Sequence, residues 1–306
     1  MRALHGIGFA LIVLTSAQVE ASSYTFETID VPGALSTKAT GINTAGEIAG
    51  SYTDTSQVSH GFVRNSSGNF TFFDVPGALS TVVNGINTSG VVVGSFADSV
   101  NVEHGFIRNS GGSFTVIIPP SGASADPLGI NALGQIVGAL TDATGTHGFQ
   151  RETDGSFTSF DVPGAINTIG NGLNVSGVIV GTFSNSVGSV NGFKRSSGGF
   201  ISPITTIAGP SPEGIDSSGR IVGQFKDDQG RTHGFLLDPD GSFIPIDIPG
   251  AADTFLERIN DAGMLVGAFT NASGMHGFFA TPVPIPSSLW LLSAALASVL
   301  HLRRRI

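Results

Sequence analysis

The stretch GINTSGVVVGSFADSVNVEHGFIRNSGGSFTVIIP, Gly85–Pro119, decides the fold. Its apolar runs are four to seven residues long, too short for helices and right for strands. Between them lie turn signals. In Asn87-Thr88-Ser89-Gly90, Asn and Gly hold the first and fourth positions, which a type I turn prefers. Asn109–Ser113 is a second, Gly-rich turn. The variable polar segment before His104 is a loop. One strand leads into GIN (A), Val91–Phe96 is the second (B), HGFIR the third (C) and FTVII the fourth (D).

The same unit recurs along the chain. GIN begins at Gly41, Gly85 and Gly129, and its variants at Gly172, Gly214 and Arg258. The steps are 44, 44, 43, 42 and 44 residues. HGF or its variant starts at His60, His104, His147, Asn191, His233 and His276 on the same beat. Four strands in about 43 residues is the size of a β-propeller blade. Pro-Gly after strand D sets a type II turn into the next unit. A lone strand D, from Tyr24, precedes the first unit, and the last stops after strand C. Joining those ends predicts an all-β, six-bladed β-propeller of four-stranded blades, closed by the N-terminal strand, over residues 22–281.

Composition agrees. Of 306 residues, 43 are Gly and 22 Phe, and only 12% are charged, unlike a disordered chain. There is no cysteine, so disulfides, thiolate nucleophiles and Cys-ligated metals are excluded. The net charge is −9 and the few cations are scattered, which argues against nucleic acid.

Both ends read as addresses. Residues 1–21 carry Arg2, an apolar run and small residues before Ala21, the pattern of a signal peptide. Residues 282–306 carry Val283, Pro284 and Pro286, an apolar segment of about 24 Å if helical, and then Arg303, Arg304 and Arg305. This order resembles the PEP-CTERM sorting tail of Gram-negative bacteria, with Ile285 where that pattern usually has Glu. The resemblance implies a short C-terminal transmembrane helix, transient residence in the inner membrane, an exosortase-type partner, and a cell-surface or extracellular-matrix destination. Losing both ends removes four arginines and Glu20, so the net charge moves from −9 to −12. The repeats, in GINTSGVVVG and EHGF, resemble the extracellular HAF repeat family, with Gly in place of Ala in its His-Ala-Phe strand. That family implies an exported repeat protein.

The repeated polar residues read as structural. The histidines suit a hydrogen bond where strand C begins. The stems of Arg64, Arg108, Arg151 and Arg195 suit packing on a neighbouring blade. Asp30, Asp74, Asp161 and Asp247 suit Asx-type bonds to nearby amides. The strand-B glycines Gly50, Gly94, Gly138, Gly181, Gly223 and Gly267 suit close approach between blades. The variable B–C loops, with Asp54, Asp98, Glu103, Asp142, Asp227 and Asp228, form the candidate binding face.

No cofactor or metal site follows from any motif. There is no HExxH, no nucleophile elbow, and no Ser–His–Asp set apart from the repeat. The expectation is therefore a protein that is not an enzyme: a surface or matrix component that contacts exopolysaccharide or divalent cations. The alternative is a propeller lyase or glycosidase, or a lectin-like carbohydrate or metal binder. An enzyme requires non-repeating polar residues converging at the channel mouth, and Lys38, Glu257 and Arg258 break the repeat near strand A.

Overall fold

Every Pro-Gly and Asn-x-x-Gly signal becomes a turn of the expected kind. In Val31–Ala34, the Ala34 amide donates to the Val31 carbonyl and Gly33 takes φ of 80°. The hydroxyl of Thr37 accepts the Val31 amide at 3.0 Å, tying the turn to the next strand. Asn43 Oδ1 accepts the amides of Ala45 and Glu47, each at 3.0 Å. These local bonds fix where one strand ends and its antiparallel neighbour begins.

The computed structural model describes residues 24–207 and 209–283. Phe26–Pro282 form one compact unit. Of the second unit, Met1–Thr25 with Val283–Ile306, only Tyr24, Thr25 and Val283 are described. The strands are β1 (Tyr24–Ile29), β2 (Ser36–Ile42), β3 (Ile48–Thr53), β4 (Ser59–Arg64), β5 (Phe70–Phe73), β6 (Ser80–Ile86), β7 (Val92–Ala97), β8 (Glu103–Arg108) and β9 (Phe114–Ile117). They continue as β10 (Ser124–Ile130), β11 (Ile136–Asp142), β12 (Gly145–Arg151), β13 (Phe157–Phe160), β14 (Asn167–Leu173), β15 (Ile179–Ser184), β16 (Val190–Arg195) and β17 (Ile201–Ile204). The last are β18 (Ser211–Ile215), β19 (Ile221–Lys226), β20 (Thr232–Leu237), β21 (Phe243–Ile246), β22 (Asp253–Ile259), β23 (Leu265–Asn271) and β24 (Gly274–Pro282).

Each repeat is an antiparallel meander: β2–β5, β6–β9, β10–β13, β14–β17 and β18–β21. β22–β24 form the last, and β1 pairs with β24 to give it a fourth strand, as the sequence predicts. Among the described residues no helix is long and apolar enough to cross a membrane. The expected C-terminal helix lies outside the described residues.

The HGF phenylalanines Phe62, Phe106, Phe149, Phe193, Phe235 and Phe278 are all buried, at 0 to 1% exposure. Phe62, Phe106, Phe149, Phe193 and Phe235 each enter a separate apolar cluster rather than one central core; Phe62, for example, packs with Ile29, Ile48 and Val266. The glycine before each phenylalanine makes room for strand D of its own meander or for the next meander: a Cβ on Gly148 would lie 2.5 Å from Phe160, and one on Gly105 2.8 Å from Pro127. The strand-B glycines differ from expectation. A Cβ on Gly94 would lie 2.0 Å from the Val82 carbonyl oxygen of its own meander and 3.0 Å from Phe106. The tight approach is therefore within a meander, where strand A bends over strand B.

That bend is a β-bulge, present at the same place in every repeat. The register slips between Ala39 and Gly41, Val83 and Gly85, Pro127 and Gly129, Gly170 and Gly172, Pro212 and Gly214, and Leu256 and Arg258. The skipped residues are Thr40, Asn84, Leu128, Asn171, Glu213 and Glu257. A bulge re-aims a side chain and frees backbone groups from the ladder.

Candidate active site

Strand A of every meander lines one axial channel, with Gly41, Gly85, Gly129, Gly172, Gly214 and Arg258 at equivalent levels. Five glycines leave room, and the single arginine fills it. Arg258 Nη1 donates to the carbonyls of Glu213 at 2.7 Å and Glu257 at 2.8 Å. Its Nη2 donates to those of Leu128 at 2.6 Å, Asn171 at 3.2 Å and Asn84 at 3.4 Å. All five acceptors are bulge residues. Five meanders thus deliver the carbonyls their bulges release to one guanidinium, which closes the channel at mid-height.

Above this plug, on the face of the B–C loops, the repeat breaks down into charge. Lys38 Nζ lies 2.9 Å from Glu257 Oε1, with the lysine side chain 44% exposed and the glutamate 9%. Glu213 holds the same repeat position as Glu257 on the adjacent strand A. Its Oε1 accepts Ser211 Oγ at 2.6 Å and Gln224 Nε2 at 3.3 Å. Burial pushes the Glu213 carboxyl up, and the charge of Glu257 pushes it further. The Glu257 charge holds Lys38 above the usual lysine value. Across the ring, burial and the charge of Glu103 raise Asp126 to about 6, while Asn84 Nδ2 donates to it at 3.2 Å.

The sequence singled out Lys38, Glu257 and Arg258, and the structure brings these three together. It adds Glu213 and Asp126, which sequence reading missed. The signal was present: aligning the residue before GIN gives Thr40, Asn84, Leu128, Asn171, Glu213 and Glu257, and the two acids stand out. An open hollow of ≈ 690 Å³ adjoins this cluster on the same face, with Ser211, Gln224, Lys226, Asp253 and Phe255 in its wall.

The loop acids do not form one site. Four of them, Asp54, Asp98, Asp142 and Asp227, serve their own repeat at the rim. Asp54 Oδ1 caps the amides of Ser56 and Val58, and Oδ2 lies 3.5 Å from His60 Nε2. Asp98 and Asp227 repeat this with His104 and His233, at 3.0 and 3.2 Å. Asp142 lies 3.7 Å from His147 and caps Thr144. Glu103 opens β8 and acts on Asp126 through its charge. Asp228 is exposed beside Asp227.

The repeated histidines do hydrogen-bond where strand C begins. Their partners correct the expected role of the strand-D acids. Asp74, Asp161, Asp247 and Asp30 bind Nδ1 of His60, His147, His233 and His276, at 2.9 to 3.0 Å. The amides expected for them go to threonines instead, as Val75 N does to Thr81. The repeated arginines pack as expected in two places. Arg108 sits 4.4 Å above Phe73 and Arg195 5.0 Å above Phe160, each in the preceding meander. Among the described residues no group of His, Asp or Glu is arranged to hold a metal ion. Of the sorting motif, Val283 is 46% exposed; Pro284, Pro286, Arg303, Arg304 and Arg305 lie outside the described residues.

No family model matches this chain, and no curated protein matches it. Solved structures do. TolB from Acinetobacter baumannii superimposes with a TM-score of 0.55 at 10% identity, over 77% of this chain and 63% of TolB, so the chain spans less than two thirds of that protein. A luciferin-regenerating enzyme gives 0.55 at 12% identity, over 85% of this chain and 96% of the enzyme. A gluconolactonase from Xanthomonas campestris gives 0.55 at 12%, over 86% and 91%. At such identities the likeness is one of fold alone. It overturns the expectation that the chain is not an enzyme, since this architecture houses enzymes and the absent motifs belong to other folds. What the comparisons establish is that this all-β chain of four-stranded sheets is a β-propeller.

Proposed function

We propose that this chain is an exported, six-bladed propeller enzyme that cleaves glycosidic bonds at its axial mouth. One observation carries the reading. Glu213 and Glu257 occupy the same bulge position on adjacent A strands, yet they sit in opposite environments. Glu213 is held toward its protonated form, and Glu257 is ion-paired with Lys38. Two carboxyl groups with divergent environments are the usual signature of an acid and a base assigned to separate roles.

In this scheme Glu213 gives its proton to the glycosidic oxygen as the bond from that oxygen to the anomeric carbon breaks. Glu257 takes a proton from the water that adds to that carbon. Both glutamates then exchange protons with solvent to regain their starting forms. Arg258 fixes the backbone of both through their own carbonyls, and Lys38 holds Glu257 in place. The exported location rests on the N-terminal pattern, on the likeness to HAF repeats, and on the PEP-CTERM-like tail. Together these propose an exosortase-type partner and a cell-surface or matrix destination, where polysaccharide is the abundant substrate.

The test is a reducing-end assay of the protein on neutral oligosaccharides, beside Glu213→Gln. General acid catalysis contributes about 10²–10⁴ in rate, so E213Q should lose that much kcat and keep its fold by circular dichroism. Wild-type turnover that E213Q leaves unchanged would refute the assignment.

A further inference from the structure

The hollow beside the acid pair has its own chemistry. Its wall includes Ser211 and Gln224, the two residues that hold Glu213 Oε1, so one layer of side chains separates the hollow from the candidate acid. At ≈ 690 Å³ it falls within the size range of small-molecule sites. Along β22, Phe255 lies two residues before Glu257, as Ser211 lies two before Glu213 on β18.

Phe255 is the one aromatic at its repeat position; the others are Lys38, Val82, Asp126, Ile169 and Ser211. The second ring in the wall, Phe225, is already engaged. It stacks on His233 at 5.3 Å and meets Phe243 edge-on at 5.6 Å. Among the described residues Phe255 enters no such ring pair, and it is only half-buried. Beside it the wall, which also includes Val190 and Phe225, carries Lys226, Thr232, Asp253, Ser211 and Gln224. An apolar face ringed by hydrogen-bonding groups suits a sugar, which offers C–H groups on one side and hydroxyls at its edge.

We infer that this hollow is the glycosyl-binding subsite, with a neutral sugar ring seated on Phe255 and its glycosidic oxygen directed to Glu213. The inference rests on the glycosidase reading above. It commits to neutral sugars because the wall offers one cation, Lys226, against one anion, Asp253. The body is also acidic overall, and its field opposes an anionic polymer.

Calorimetry with the full chain would use cello-, malto- and laminaritetraose and a tetrasaccharide of hexuronate. At least one neutral probe should bind. Phe255→Ala should weaken it at least tenfold, and Phe255→Trp should restore it. Restoration by the larger ring excludes a mere folding defect. Equal binding by F255A and wild type, or preference for the hexuronate, would overturn the subsite. Turnover abolished in E213Q with kinetics unchanged in F255A would leave the acid standing and sink the subsite. Binding that depends on Phe255 without turnover would do the reverse.

Discussion

Asp126 carries the clearest electrostatic cost of the axial cluster. Its pKa stands at about 6 in the folded chain against 3.8 ordinarily. The folded state therefore binds a proton that the unfolded chain releases. Stability falls as pH rises from about 4 to 6 and stays lowered at neutral pH. Asp126→Asn keeps an acceptor for Asn84 and removes the charge. It should stabilise the protein at pH 7.5 by on the order of 2 kcal/mol and have little effect at pH 3.5. Denaturant unfolding at the two values measures this, and equal shifts at both would contradict the assignment. Such a site was only half legible in the sequence. Lys38, Glu257 and Arg258 announce themselves by breaking a column of the repeat. Glu213 and Asp126 break columns too, but their meaning depends on which repeats become neighbours and on the bulge that turns position 213 toward the axis. Neither spacing nor composition encodes that bulge visibly.

Four meanders present the same small device at their outer edge: His60, His147, His233 and His276 each tie the B–C loop to a strand-D aspartate. His233 is held above its ordinary pKa by Asp247 and then Asp227. For His60, burial pulls the value down, but Asp74 and Asp54 outweigh it. With raised folded values, this stabilisation is complete below about pH 6.5 and fades as pH climbs through them. The pairs are partly exposed, so each contributes little. The double variant His60→Gln, His233→Gln should melt about 1–2 °C lower than wild type at pH 6 and nearly level with it at pH 8.5. Thermal melts across that range test it, and a constant difference would assign the histidines a purely steric role. The sequence made the hydrogen bonding of these histidines legible, because a residue that recurs at a strand start needs a local partner. It hid the partner itself. His60 and Asp74 lie 14 residues apart, opposite ends of a hairpin, and His276 reaches Asp30 across 246 residues. Where the strand-D acid is replaced, by Ile118 and Thr205, the pairing across that hairpin is lost as well.

The ring as a whole is held by stitches at the GIN end. Asn43 Nδ2 donates to the Asn87 carbonyl, Asn131 to that of Asn174, and Asn174 to that of Asp216. Asp216 cannot donate in this way, and there the Ser217 amide donates to Asp261 instead. Asn260 Nδ2 closes the circle on the Asn43 carbonyl at 2.9 Å. Asn260→Ala removes that stitch and the Oδ1 acceptor of two turn amides. It should cost about 2–3 kcal/mol in denaturant unfolding. A loss below half of that would mean the seam depends on β1 and β24 alone. The closure was the most legible feature of the molecule, because a spare strand D at one end and a missing one at the other admit a single joining. The plug was not, since nothing in a one-dimensional text says that four distant carbonyls converge on Arg258. Arg258 belongs to the last repeat, and every carbonyl it gathers comes from a residue earlier in the chain. As the polypeptide emerges from its N-terminus, β1 waits without its partner and the axial oxygens wait without their donor. Both arrive within the same final stretch. The molecule cannot lock until it is nearly all made, so a chain arrested before Arg258 is left unable to finish, with an open edge ready to pair with a neighbour.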